Sequence, residues 1–272
     1  TEERDGTADG DLVPPAMRDR TFTGGSAAFG VHVDVAKDTA LVSPVTRSYR
    51  APALEELYNF GPHVGNLAFE VGNTELDRES TLGLDVSLRH RSARARGEIS
   101  AFVYDINNFV FASSTQTVVD GLLLAEYLQG DSRYAGVDGQ TSLSLGGRGW
   151  LTAGLGYVQA RLTSTGEDLP RIPPFHARVS LDLPVKGVTI GPELVWAAAQ
   201  ERVFRGETTT AGYTLLNVNA SYILARSHHA HVFSVSGLNL TDELYRRHTS
   251  LIKNLAAEMG RSIKVSYALR FF

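Results

Sequence analysis

The chain has 272 residues and no cysteine, which excludes disulfides, thiolate metal sites and cysteine nucleophiles. A net charge of −4 leaves no basic excess to neutralise phosphates, so nucleic acid is not an expected partner. At 43% hydrophobic and 21% charged residues the chain is too apolar to stay disordered, and its 26 glycines favour turns and closely packed strands over long helices.

The chain opens with Thr1-Glu2-Glu3-Arg4-Asp5, without an initiator Met or a charged-then-apolar signal, and this reads as the start of a fragment. No run approaches the ~18 apolar residues of a membrane-spanning helix. A membrane β-barrel stays open as a reading, because its hydrophobicity is spread as alternation over ~10-residue segments.

From residue 21 onward the pattern is period two. Leu82, Leu84, Val86 and Leu88 alternate with small or polar residues, as do Phe175, Ala177, Val179, Leu181 and Leu183, and then Ile263, Val265, Tyr267, Leu269 and Phe271. Such alternation marks strands with one apolar and one polar face. About eleven strands are expected, over 21–35, 38–50, 78–91, 95–109, 121–146, 149–164, 174–185, 188–199, 211–225, 230–240 and 260–272. Helical spacing appears only around Ala53–Tyr58. The fold class is therefore all-β and antiparallel.

The connections alternate short and long. Short ones fall near Lys37-Asp38, Ser92-Ala93-Arg94, Gly146-Gly147-Arg148, Lys186-Gly187 and Ser227-His228-His229. Long ones cover about 51–77, 110–120, 165–173, 200–210 and 241–259. Outer-membrane barrels have short periplasmic turns and longer extracellular loops. With the C-terminus in the periplasm, every short turn falls on the periplasmic side, and residues 1–20 fall outside the cell as a loop remnant. A complete barrel of this kind has an even strand number, and open edges are not tolerated in hydrocarbon. The reading is an antiparallel transmembrane β-barrel portion over residues 21–272, about eleven C-terminal strands of a barrel of about 22.

Three segments resemble the barrel of TonB-dependent outer-membrane receptors. Arg50, Ala51, Pro52, Glu56 and Leu57, within Ser48–Tyr58, resemble the family's "FRAP…EL" box. Gly72, Asn73, Leu76 and Glu79 resemble its "NPNL…E" box, and Asn239, Leu240, Asp242 and Tyr245 its "NLxDxxY" segment. The terminal aromatic Phe272 is similar to those of barrels delivered to the outer-membrane assembly machinery. Tyr58–His63, Phe69–Asn73, Leu169–Pro174, Gly212–Asn217 and Arg247–Ser250 resemble the receptor subgroup assigned to zinc uptake. The resemblance implies outer-membrane location, contact with lipid, an N-terminal plug that gates import, and energy supplied through the TonB protein. A passive porin-like barrel has no reason to carry the boxes.

The cargo candidates follow from side-chain chemistry. His63 lies in the longest loop, and Glu70 follows it closely; neutral imidazole and carboxylate are zinc ligands. A histidine between the two boxes also resembles the axial-ligand position of haem receptors. His176 and His248 fall on polar parity or in a long loop, where they would meet a descending solute. The expected cargo is Zn2+ first, haem second and an iron siderophore third. The His228-His229-Ala230-His231 cluster sits at a short turn away from the mouth and reads as a polar turn or an incidental metal binder. Glu55-Glu56 and Asp34-Asp38 read as surface charges. No GxSxG, HExxH or phosphate-loop motif is present, so the chain is read as no enzyme, with no catalytic residue or catalytic cofactor.

Overall fold

The alternation becomes one antiparallel ladder in the computed structural model, which describes residues 12–272. Residues 1–11 of the expected loop remnant lie outside the described residues, and 12–26 carry no regular structure. The first strand therefore starts later than expected, and the elements run β1 Ala27–Ala36, β2 Thr39–Arg50, α1 Leu54–Tyr58, β3 Phe60–His63, β4 Ala68–Val71, β5 Glu79–Arg91, β6 Ala95–Val119 and β7 Leu122–Ser144. After a 3-10 turn at Gly146–Arg148 come β8 Trp150–Leu162, β9 His176–Val185, β10 Val188–Ala197, β11 Tyr213–Ala225, β12 His229–Leu238 and β13 Ser262–Phe271.

Eleven of these strands form a continuous wall in the order β1-β2-β5-β6-β7-β8-β9-β10-β11-β12-β13, and β1 and β13 are its open edges. The wall's ladders are antiparallel throughout, each strand pairing with its sequence neighbour once β3 and β4 are set aside. Apart from β6 and β7, wall strands are 10 to 13 residues long, close to the ~9–11 residues a tilted strand needs to cross a bilayer. Among the described residues no helix is long and apolar enough to cross a membrane.

The two faces of the wall differ as the alternation requires. Leu82, Leu84, Val86 and Leu88 of β5 are exposed on one face, as are Ile263, Val265, Tyr267 and Leu269 of β13. The opposite, luminal face carries small hydroxyls and charge pairs. Ser87 meets Ser100 at 2.9 Å, Ser142 meets Thr152 at 2.9 Å, and Tyr104 donates to Asp85 at 2.6 Å. Arg133 makes two bonds to Asp105, at 2.6 and 3.1 Å.

One connection departs from expectation. Residues 110–120, read as a long loop, continue β6 and β7 well beyond their neighbours as a hairpin closed by Asp120-Gly121. Both turn residues have positive φ, 50° and 77°, the conformation for which Asp-Gly is the favoured two-residue pair. A bulge at Asn108, φ 57°, marks where the hairpin leaves the wall, and bulges re-aim strands in this way. The loop between β2 and β5 is also structured. It holds α1 and the β3–β4 hairpin, and β4 adds in parallel to the protruding part of β7, Ala68 opposite Leu123.

The hydrophobic core sits at this loop end and not behind the wall. Phe111, Ala160, Leu162, Leu169, Ile172 and Phe204 form one buried cluster, and Leu57, Leu76 and Val110 form a second. Side chains from β6, β8 and the connections 163–175 and 198–212 thereby close over one another, each large one contributing about 1.5–3 kcal/mol by burial.

Candidate functional site

The loop end is assembled by residues far apart in sequence. Arg50 closes β2, Glu79 opens β5, and the two are register partners. Arg50 Nε and Nη2 donate to Glu79 at 2.7 and 2.6 Å, while Nη1 donates to both oxygens of Glu56 on α1 at 3.0 and 2.9 Å. Glu79 also accepts from the Val110 backbone N–H at 2.7 Å, and Glu56 accepts from Ala53 N–H at 2.7 Å. Glu56 is thus no surface charge but one arm of a clamp that caps α1 and binds it to the wall. A guanidinium suits this role because its planar fork serves two carboxylates at once.

The remaining residues of the first two boxes complete the fastening. Leu57 and Leu76 are buried against Val110, and Ala51 and Pro52 lead the chain from Arg50 into α1. Asn73 N–H donates to Glu56 O at 2.8 Å, and Asn73 Nδ2 donates to Tyr127 O at 3.1 Å. Gly72 passes so close to α1 that a Cβ there would lie 2.5 Å from Tyr58 N and 2.6 Å from the Leu57 carbonyl carbon. The third segment works in the same way. Asn239, 3% exposed with φ 48°, donates through Nδ2 to Glu243 O at 2.9 Å and accepts from Glu243 N–H at 2.9 Å. Leu240 N–H donates to Leu216 O at 2.8 Å, Asp242 accepts from Arg261 N–H at 2.8 Å, and the Tyr245 ring lies 4.6 Å from that of Tyr213.

His63 and Glu70 stand on the β3–β4 hairpin. His63 pairs with Ala68, so Glu70, two residues along, shares its face. His63 is exposed and Glu70 is buried. The Glu70 carboxylate accepts from Asn59 Nδ2 at 2.6 Å, Tyr127 Oη at 3.1 Å and Asn66 Nδ2. Both residues line a cavity of about 440 Å³, together with Glu55, Glu56, Tyr127 and Arg171. Among the described residues no three histidine or carboxylate side chains converge as a metal site.

A second cavity of about 470 Å³ adjoins the first, sharing Asn66, Ala112 and Arg171, and it is lined further by Arg205, Glu207 and Lys253. Its wall is a polar latch. Glu207 accepts from Lys253 Nζ at 2.8 Å and from the Arg171 backbone N–H at 3.1 Å, and His248 Nε2 lies 3.3 Å away. His248 Nδ1 lies 3.0 Å from Thr210 Oγ1 and 3.2 Å from Lys253 Nζ. Burial works against the Glu207 charge, but the bonds from His248 and Lys253 outweigh it and hold the carboxyl at about 2. Three connections, 163–175, 198–212 and 239–261, therefore meet at one carboxylate.

His248, expected to face a descending solute, is only 2% exposed and is enclosed in this latch. His176, at the first position of β9, is exposed and lies over Gly156, with Nδ1 3.2 Å from Pro174 O. The fold does bring His176 and His248 to one small cavity of about 90 Å³, beside Arg246, Arg247 and Tyr213. The four expected cargo residues thus divide into two pairs. Glu207 and Lys253 escaped the sequence reading, since Glu207 lies 46 residues from Lys253 and nothing in their local pattern announces a partner.

The sequence profile of the family described as "TonB dependent receptor-like, beta-barrel" matches residues 3–240. Among solved structures, the copper transporter OprC aligns with a TM-score of 0.76 at 21% identity, over 90% of this chain and 39% of that one. A variant of the ferric enterobactin receptor PfeA from Pseudomonas aeruginosa aligns with a TM-score of 0.65 at 17% identity, over 90% and 40%. The FrpB iron transporter from Neisseria meningitidis aligns with a TM-score of 0.66 at 14% identity, over 91% and 39%. At these identities the likeness is one of fold. The chain spans about 40% of the length of the structures it matches.

Proposed function

The chain belongs to the TonB-dependent receptor-like β-barrel family, an outer-membrane family, and we propose that it forms part of a gated active importer of a scarce metal or metal complex, with zinc as the favoured cargo. The single observation that carries this reading is the pairing of His63 and Glu70 on one face of one hairpin, both lining the same loop-end cavity. An imidazole and nearby carboxylates are borderline-hard donors that suit Zn2+. Water or cargo-borne groups would complete a coordination shell loose enough to release the ion.

In this reading the loop end faces outward and the clamp around Arg50 keeps the vestibule's frame fixed while cargo enters. The polar luminal face lines the path inward. A plug in the rest of the protein closes that path, and the TonB protein supplies the energy to open it. The apolar outer face meets outer-membrane lipid. Strand β13, which ends at Phe271 and is followed by Phe272, is the part addressed to the barrel-assembly machinery.

A second reading rests on a separate observation. Arg171, Arg205 and Lys253 line the adjoining cavity, against one carboxylate, Glu207, among the described residues, and this charge balance favours an anionic metal complex such as haem or a ferric siderophore. Titrating zinc and haem separately into the full-length parent in detergent, with wild type and His63→Ala, tests both readings. Zinc binding lost in the variant with haem unaffected supports the zinc importer. Haem binding lost instead transfers the function to the second reading. If neither ligand binds the wild type, His63 has no cargo role and a siderophore is the cargo to test next.

A further inference from the structure

The turn end of the wall carries a second group of donor atoms. His229 and His231 lie two apart on β12 and therefore share one face. Their register partners on β13 are Phe271 and Leu269, and Phe233 opposes Tyr267. Phe233, Tyr267 and Phe271 are 45%, 56% and 77% exposed, so this is the apolar outer face. Ser234 and Ser236, paired with Ser266 and Lys264, form the polar luminal one.

The two imidazoles are held beside each other. Their centroids are 4.9 Å apart with the rings nearly perpendicular, at 84°. The His231 ring lies nearly parallel to those of Phe233 and Tyr267, which touch each other, and His229 leans on Phe271. His231 Nδ1 lies 2.9 Å from Tyr267 Oη. With Nδ1–H donating to the phenol oxygen, the Nε2 lone pair of His231 is left for a ligand. Among the described residues, neither that nitrogen nor either nitrogen of His229 has a hydrogen-bond partner. Simple packing on an apolar face gives no reason for two imidazoles with unused nitrogens.

We propose that His229 and His231 form a bis-imidazole site for a borderline divalent transition metal, on the outer wall at the turn end and separate from the loop-end cavities. Metal–nitrogen bonds of about 2.0–2.1 Å place two ligand nitrogens about 3 Å apart, which rings at this separation reach by small rotations. Two neutral imidazoles with water in the remaining positions bind Cu2+ ahead of Ni2+ and Zn2+, following the order of divalent affinities. Tyr267 is the positioning residue, since its oxygen orients the His231 ring without touching the metal.

The test uses the full-length parent folded in detergent, with Cu2+ as the probe, read by electron paramagnetic resonance and by titration calorimetry. The expected spectrum of the wild type shows two nitrogen ligands. His229→Gln and His231→Gln each reduce the nitrogen count by one and weaken binding at least about tenfold, and the double variant abolishes the signal. Tyr267→Phe weakens binding about tenfold while the nitrogen count stays at two, an effect that lost packing would not reproduce. His63→Ala removes any one-nitrogen signal of the loop-end site and leaves the two-nitrogen component in place, which separates this site from the cargo site and makes the failure of either one distinguishable. A two-nitrogen signal that survives the double variant, its loss in His63→Ala, or its absence in the wild type would each overturn the proposal.

Discussion

The wall and the loop end of this molecule are stabilised in different ways. The wall is a ladder of backbone pairs whose outer face is apolar and whose inner face is laced with hydroxyls and exposed ion pairs. Each strand repeats its neighbour's pattern, and each cross-strand side-chain pair contributes only about 0.2–1 kcal/mol. Beyond the protruding β6–β7 hairpin and the short β3–β4 pair added to it, the loop end has little regular repeat. It depends on two charged nodes, Arg50 with Glu56 and Glu79, and Glu207 with His248 and Lys253, and on two small aromatic and aliphatic clusters. Where this region's backbone leaves those short ladders it is irregular, and its polar groups are satisfied by specific side chains.

That contrast breaks most sharply at Phe204, which is 2% exposed and packs edge-on against Phe111 at 5.3 Å. Phe204→Ala is expected to destabilise the loop end by about 3–5 kcal/mol. Hydrogen exchange on the full-length parent checks this, with protection falling in 163–175 and 198–212 while β9 to β12 keep theirs. Equal loss across the wall would show that the two regions are one cooperative unit.

Glu79→Gln comes next. The amide keeps the shape of the carboxylate but loses its charge, leaving Arg50 with Glu56 alone. Because Arg50 is partly exposed, about 2 kcal/mol is expected, less than for a fully buried pair. Faster exchange in α1 and at Val110, with the β9–β10 ladder unchanged, is the expected pattern.

A third effect sharpens the comparison by pH. Glu207 titrates at about 2 in the folded protein, against an ordinary 4.5. A depressed carboxyl contributes stability that is complete above its unfolded value and is lost as pH falls. Exchange protection in the three latched connections is therefore constant above about pH 4.5 and declines between there and pH 2. Glu207→Gln removes that dependence and lowers the plateau. A wild-type profile identical to that of the variant would mean the latch contributes nothing.

How much of this was legible beforehand depends on distance along the chain. Strands such as β5 and β13 announce themselves because lipid on one side and polar lumen on the other impose strict alternation. The protruding hairpin did not, since Ser113-Ser114-Thr115-Gln116-Thr117 extends past the neighbouring strands and has no apolar face to display. Asp120-Gly121 was the signal that would have found it. His63 and Glu70 were legible as a pair because one short hairpin joins them.

The sequence by itself determined the wall's eleven strands, its two faces, the five short turns and four of the five long connections, because all of these arise from local periodicity and turn chemistry. Only the tertiary structure decided that Glu56 belongs to a clamp, that His248 is enclosed by Glu207 and Lys253, and that Tyr267 orients His231. Each of those facts joins side chains from separate strands or loops. A charge or a ring carries no mark in the sequence of which distant partner the folded backbone will bring within 3 Å.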